Sequence, residues 1–139
     1  MAEFTKAKRF TNLEAISPLD GRFRGNVEFC SEYFSEYATM KRRVEVEMMY
    51  LIAIVEFLGV RKFNRTERSE LENIIIDFSL KDARWIEKED LEINHDTKSV
   101  EYFLRKKLKQ LGYESLTPYL HIGLTSADAD CNAQVLNMK

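Results

Sequence analysis

A chain of 139 residues with 45% hydrophobic and 32% charged side chains has the composition of one globular domain, long enough to bury roughly two-thirds of its unfolded surface. Its formal net charge of −2 gives no electrostatic drive toward nucleic acid or an anionic membrane surface. The longest apolar run, Met48 to Val55, is far shorter than the ~20 residues that span a bilayer, and the polar stretch Met1 to Asn12 lacks a signal-peptide core. Cys30 and Cys131 have neither metal-ligand nor redox spacing and suit a reducing compartment, so the expected location is the cytoplasm. With only five Gly and two Pro to punctuate it, the chain should be all-α, built from long helices.

Residues 1–15 read as a flexible arm. Ile16-Ser17-Pro18-Leu19-Asp20-Gly21-Arg22-Phe23 follows, and its Ser-Pro and Asp-Gly pairs form turns. Such a turn can project Arg22 as an anion-binding fork; spacing alone equally fits a solvated surface arginine.

Tyr33, Tyr37, Met40, Val44, Met48, Leu51, Val55 and Leu58 recur at three- and four-residue intervals, which predicts a helix over 33–58, about 40 Å long. Ser31 or Ser35 could cap it and Gly59 could end it. Val46, Met49, Ala53 and Ile54 make its second half apolar nearly all round, so that half should pack on more than one neighbour. A second helix is expected over Thr66–Phe78, with Leu71, Ile74, Ile75 and Phe78 inward. Ser79 then caps a shorter helix through Trp85 and Ile86, and the acidic run Glu87–Glu92 reads as loop.

Val100, Phe103, Leu104, Leu108 and Leu111 mark another amphipathic helix, stopped by Gly112, with Lys107 interrupting its stripe and obliged to snorkel or pair. Asn94 or Asp96 should cap its start. His95 should sit at that start, off the buried face, with its ring open to an arriving ligand. Further on, Thr125 or Ser126 caps a final helix through Ala133 and Leu136, which at Lys139 has no closing Gly, Asn or Pro and reads as cut off.

Four polar clusters emerge: Arg22, Asn94-His95-Asp96, His121 and Thr125-Ser126. Two lie at helix N-termini, where unpaired backbone N–H groups and the positive end of the dipole favour anions. All are suited to carboxylate or phosphate oxygens, so they point to an anionic small molecule. A metal site built from His95, Asp96, His121 and Asp128 is the rival, but the spacing matches no compact metal motif. No Gly-rich phosphate loop, nucleophile elbow or Cys-His signature occurs, and no cofactor is implied.

Ser17-Pro-Leu-Asp-Gly-Arg-Phe23, Asn94-His-Asp-Thr-Lys-Ser-Val-Glu-Tyr-Phe-Leu104 and His121-Ile-Gly-Leu-Thr-Ser-Ala-Asp128 resemble, in order and rough spacing, the N-terminal part of the adenylosuccinate lyase family. The resemblance implies an all-α member of the fumarase/aspartase superfamily, homotetrameric when full length, with no cofactor. The 139 residues would be its N-terminal helical domain, truncated before the central long-helix bundle, with 124–139 starting a helix that leads there. The family eliminates fumarate from adenylosuccinate to give AMP, and from the related succinylated carboxamide ribotide, in purine biosynthesis. By position, Arg22 and Phe23 match the family's nucleotide-holding Arg-Tyr pair. Asn94, His95 and Asp96 match its substrate-binding block, Thr125 and Ser126 its Thr-Ser pair, and His121 a histidine of the same site. The family's general acid, a histidine, and its base, a serine on a mobile loop, have no counterpart here and are expected beyond Lys139, so the fragment alone should be inactive. Phe23 stands where the family has Tyr, and Ala127-Asp128-Ala129-Asp130-Cys131 where this branch has Glu-Asp-Ile-Asn-Asn. Those departures leave two alternatives: a non-enzymatic helical interaction module of lyase descent, or a sister lyase with another substrate.

Overall fold

Residues 11–138 are described by a computed structural model, and every regular element among them is helical. Two 3-10 turns, Arg24–Asn26 and Glu28–Cys30, lead into α1 (Ser31–Phe34) and α2 (Glu36–Phe57). Then come α3 (Arg65–Ile76), α4 (Leu80–Ile93), α5 (Asp96–Gln110), a 3-10 segment (Glu114–Tyr119) and α6 (Ser126–Asn137). Of the arm expected over 1–15, residues 1–10 lie outside the described residues, as does Lys139; residues 11–15 enter a turn closed by the Glu14 N–H on the Thr11 carbonyl.

The fold is arranged around α2, which packs against α1, α3, α4, α5, α6 and the Glu114–Tyr119 segment. Its inward stripe of Val44, Met48, Leu51, Ile52 and Val55 is almost wholly removed from solvent, and each such side chain contributes about 2 kcal/mol of burial. Leu71 and Ile74 of α3, Ala83 and Ile86 of α4, and Val100, Phe103, Leu104 and Leu108 of α5 complete the core with Phe78, Tyr113, Leu116 and Leu120. Ala129 and Ala133 of α6 are fully buried, and their small side chains let α6 lie close along α2.

α2 is shorter than its apolar spacing predicts. Ser35 adopts an extended backbone (ψ 160°) and its hydroxyl accepts from the Ala38 N–H, so the long helix starts at Glu36 and spans about 33 Å. Tyr33 and Phe34 fall outside it and stay exposed. At the other end Gly59 takes φ +70°; its N–H bonds the Glu56 carbonyl and the Val60 N–H the Val55 carbonyl, a Schellman closure that needs the left-handed conformation. The second half of α2 has several neighbours, as expected, yet Met49 and Ala53 remain exposed.

The acidic run is the clearest correction. Glu87–Glu92 is helical, because Glu, Lys and Leu are strong helix formers and outweigh the unfavourable placement of acids near a helix C-terminus. α4 therefore runs to Ile93, and only Asn94 and His95 separate it from α5. Lys107 resolves its place on the α5 stripe by pairing with Asp82 of α4 at 2.9 Å. No helix among the described residues is long and apolar enough to cross a membrane.

Candidate functional site

The first motif is a locally built turn. The Ser17 hydroxyl accepts from the Leu19 N–H (3.2 Å), the Gly21 N–H bonds the Ser17 carbonyl and the Phe23 N–H the Pro18 carbonyl. Gly21 is buried, and a Cβ there would stand 3.0 Å from both the Ala15 Cβ and the Asn12 carbonyl oxygen, so the turn closes only around a glycine. Arg22 and Phe23 are both exposed, with the guanidinium 4.6 Å from the ring centroid. Phe23 thus acts as a cation–π platform under the arginine, a role that needs no hydroxyl.

The second motif fills the junction between α4 and α5. Asn94 sits at φ +53°, ψ +46° and closes α4, a left-handed placement that Asn tolerates better than most residues. This excludes it as the cap of α5. Asp96 is already the first helical residue, which leaves His95 as the N-cap: its Nδ1 accepts from the Lys98 N–H at 3.2 Å. A neutral His95 capping through Nδ1 must carry its proton on Nε2, so the exposed edge of the ring is a donor. Asp96 accepts from the Thr97 N–H (2.7 Å) and pairs with Arg43 (2.7 Å). Partial burial pushes its carboxyl up, but the Thr97 N–H and the Arg43 guanidinium outweigh that and hold it below the ordinary aspartate range.

His121 and Thr125–Ser126 bracket the turn into α6. Thr125 is the N-cap, and the Asp128 carboxylate accepts from both its N–H (2.7 Å) and its hydroxyl (2.9 Å). Those two donors hold the Asp128 carboxyl below its usual range. His121 has φ +57°, a left-handed placement costing a non-glycine residue about 1–2 kcal/mol. Its Nδ1 lies 2.5 Å from Oε1 of Glu47, and the side chain is 22% exposed. One residue on, the Ile122 carbonyl accepts from the Tyr50 hydroxyl at 2.8 Å.

Two side chains of α2 tie these pieces together. Arg43, only 11% exposed, bridges Asp96 at the start of α5 and Asp130 of α6 (2.6 Å). One helical turn further on, Glu47 holds His121. Glu47 is 1% exposed and its Oε2 has no hydrogen-bond partner among the described residues; burial pushes its carboxyl up, against the opposing pull of His121. Nearby Glu101, equally buried on α5, is compensated by Lys98 and Arg105, whose pairing overcomes burial and holds its carboxyl below the ordinary range. Asp96 beside Asn94-His95, His121, and Asp130 one turn beyond Thr125-Ser126 are thus held by α2. Among the described residues no hydrogen bond or ion pair links Arg22 or Phe23 to them.

No family model matches the chain. It is 40% identical over 136 residues to adenylosuccinate lyase of Dictyostelium discoideum, 40% over 130 residues to that of Buchnera aphidicola from Baizongia pistaciae, and 32% over 133 residues to that of Escherichia coli K12. These alignments cover 94%, 91% and 93% of this chain. This chain is homologous to the adenylosuccinate lyases. It spans 29%, 28% and 29% of the length of those three relatives, consistent with an N-terminal portion.

Against the adenylosuccinate lyase pattern, the departures after Ser126 have visible structural roles. Ala129 is fully buried on α6, and Asp130 supplies the second carboxylate for Arg43; Asp128, which keeps the pattern's Asp, closes the cap on Thr125. Arg43 and Glu47 were not singled out from the sequence, although a signal existed. Glu47 follows Val44 by three residues on the apolar stripe of α2, and a charge placed there must find a partner. Among the described residues no group of three or more His, Cys, Asp or Glu is gathered to hold an ion.

Proposed function

We propose that this chain is the substrate-binding N-terminal part of a lyase that eliminates fumarate from adenylosuccinate, and from the succinylated carboxamide ribotide, in purine nucleotide synthesis. The single observation that carries this reading is that Arg43 and Glu47, one turn apart on α2, hold Asp96, His121 and Asp130 from three separated stretches of sequence. Homology to adenylosuccinate lyases supplies the reaction class.

The elimination removes a proton from the carbon beside a carboxylate, holds the carbanion as an aci-carboxylate and protonates the departing nitrogen. Substrate anions then need fixed donors. In our reading Arg22, stacked on Phe23, takes anionic oxygen; Asn94 and His95 present an amide and an outward N–H; His121, Thr125 and Ser126 line the start of α6. Asp96 acts through Arg43, keeping the α5 start in register. These residues bind and orient, while the acid and base come from outside residues 1–139. The location is cytoplasmic and the assembly a homotetramer. A groove between α2 and α6, where Val46, Met49, Leu124, Val135 and Leu136 lie beside the polar Glu45, Asp128 and Asn132, supports association through its uncovered apolar part.

Fumarate release from adenylosuccinate tests the proposal. The intact lyase containing this chain is expected to cleave both purine substrates, and residues 1–139 alone neither. Fumarate release by the 139 residues alone would refute this division of labour. Inertness of the intact protein toward both, with cleavage of another succinyl compound, would make it a sister lyase.

A further inference from the structure

Glu47 is a buried carboxylate that the proposed binding roles do not use. It stands inside the apolar stripe of α2, is 1% exposed, and its Oε1 lies 2.5 Å from His121 Nδ1. Among the described residues its second oxygen has no hydrogen-bond partner. A group that costs so much to bury is retained only if its contact achieves something that an apolar side chain could not. The contact falls on a residue whose backbone is itself in the left-handed region. The Tyr50 hydroxyl, one turn along α2, pins the next carbonyl, so α2 fixes both the backbone and the ring of the 121–123 turn. The ring is held by one nitrogen and still 22% exposed.

We infer that Glu47 is a positioning residue: its Oε1 accepts from the Nδ1–H of His121, fixing the ring orientation and proton placement so that Nε2, left as an acceptor, is the edge offered to an N–H or O–H of the substrate. The inference rests on the reading of His121 as a substrate-binding residue. An ionised carboxylate can only accept, so the proton of this hydrogen bond belongs to Nδ1. Without Glu47 a neutral imidazole returns to its ordinary mixture of tautomers and the ring is free to rotate. The Gln variant keeps an acceptor oxygen at the same reach; the Leu variant has the volume but no acceptor.

The test is nitrogen-15 NMR of the histidine rings in the 139-residue chain, which has only two histidines, with kinetics of the same variants in the intact lyase. The parent and Glu47→Gln should show a protonated, hydrogen-bonded Nδ1 on His121, and Glu47→Leu should lose it. The His95 signals stay fixed and report that the variant is folded. In the intact lyase, kcat/KM should fall at least tenfold in Glu47→Leu and largely recover in Glu47→Gln. An unprotonated Nδ1 in the parent, or a ring state indifferent to residue 47, overturns the inference whatever the kinetics. A ring state that follows residue 47 while His121→Ala leaves kcat/KM unchanged supports Glu47 as the group that sets the ring and instead refutes the substrate role of His121.

Discussion

Replacing Arg43 by Met removes a cation shared by α5 and α6 while keeping most of the apolar stem. Two carboxylates lose their partner: Asp96, bonded at 2.7 Å and 53% exposed, and Asp130, bonded at 2.6 Å and 32% exposed. A hydrogen bond between charged groups contributes about 1.5–3 kcal/mol when sheltered, whereas exposed pairs contribute about 0–1 kcal/mol. Asp96 belongs near the exposed limit and Asp130 between the two, so the expected loss is about 1–2 kcal/mol, roughly a tenfold change in the unfolding constant. Both carboxylates can rehydrate, which keeps the loss below the ~3–5 kcal/mol of a stranded buried charge. The pH dependence has a definite sign. The Asp96 carboxyl is held below its unfolded value near ~3.9, so its contribution is present above that value and disappears as pH falls through the folded one. The gap between parent and Arg43→Met should therefore be full at neutral pH and close in acid. Urea unfolding followed by circular dichroism at a series of pH values measures it. A gap under about 0.3 kcal/mol at pH 7, or one that widens in acid, would refute the clamp.

Two further outcomes follow from packing and titration. Ala129→Ile adds volume at a position with no exposed surface between α6 and α2, so thermal unfolding should show a loss of about 1–3 kcal/mol; an unchanged midpoint would mean that α6 does not lie as close as described. The Tyr113 hydroxyl donates to Glu70 at 2.6 Å, and that bond, with burial and the Glu70 charge, pushes its ionisation up to about 12. Because the folded value is raised, its contribution is full below the unfolded value near ~10 and lost as pH rises toward 12. Ultraviolet titration should show one late-ionising tyrosine that vanishes in Tyr113→Phe; a parent curve without that step would contradict the hydrogen bond.

How much of this could be read from the chain alone varied with the physical signal. Apolar periodicity predicts the core of α2, α3 and α5, and the glycines at 59 and 112 close α2 and α5 as expected. Periodicity says little where local chemistry overrides it. Tyr33 and Phe34 continue the apolar spacing, yet the Ser35 cap breaks the helix before they can join the core. The acidic run over 87–92 suggests loop by charge, yet its residues favour helix and carry α4 to Ile93. That extension displaces the cap of α5 onto His95, because Asn94 is used to close α4. The candidate site was legible as short motifs. What joins them was not: Arg43 lies 53 residues from its partner Asp96 and Glu47 lies 74 from its partner His121 in sequence, and only the folding of the chain around α2 makes them neighbours.

The most direct test of the central claim is His95→Ala in the full-length protein, the proposed lyase. His95 is exposed and its only described side-chain bond is one cap on the Lys98 N–H, so losing the ring should cost about 1 kcal/mol of stability and leave the fold intact. If its outward Nε2–H meets substrate, kcat/KM for adenylosuccinate should fall about 10²-fold or more, with an unchanged circular dichroism spectrum. A folded His95→Ala lyase with unaltered kcat/KM would return His95 to the role of a plain helix cap and contradict the account.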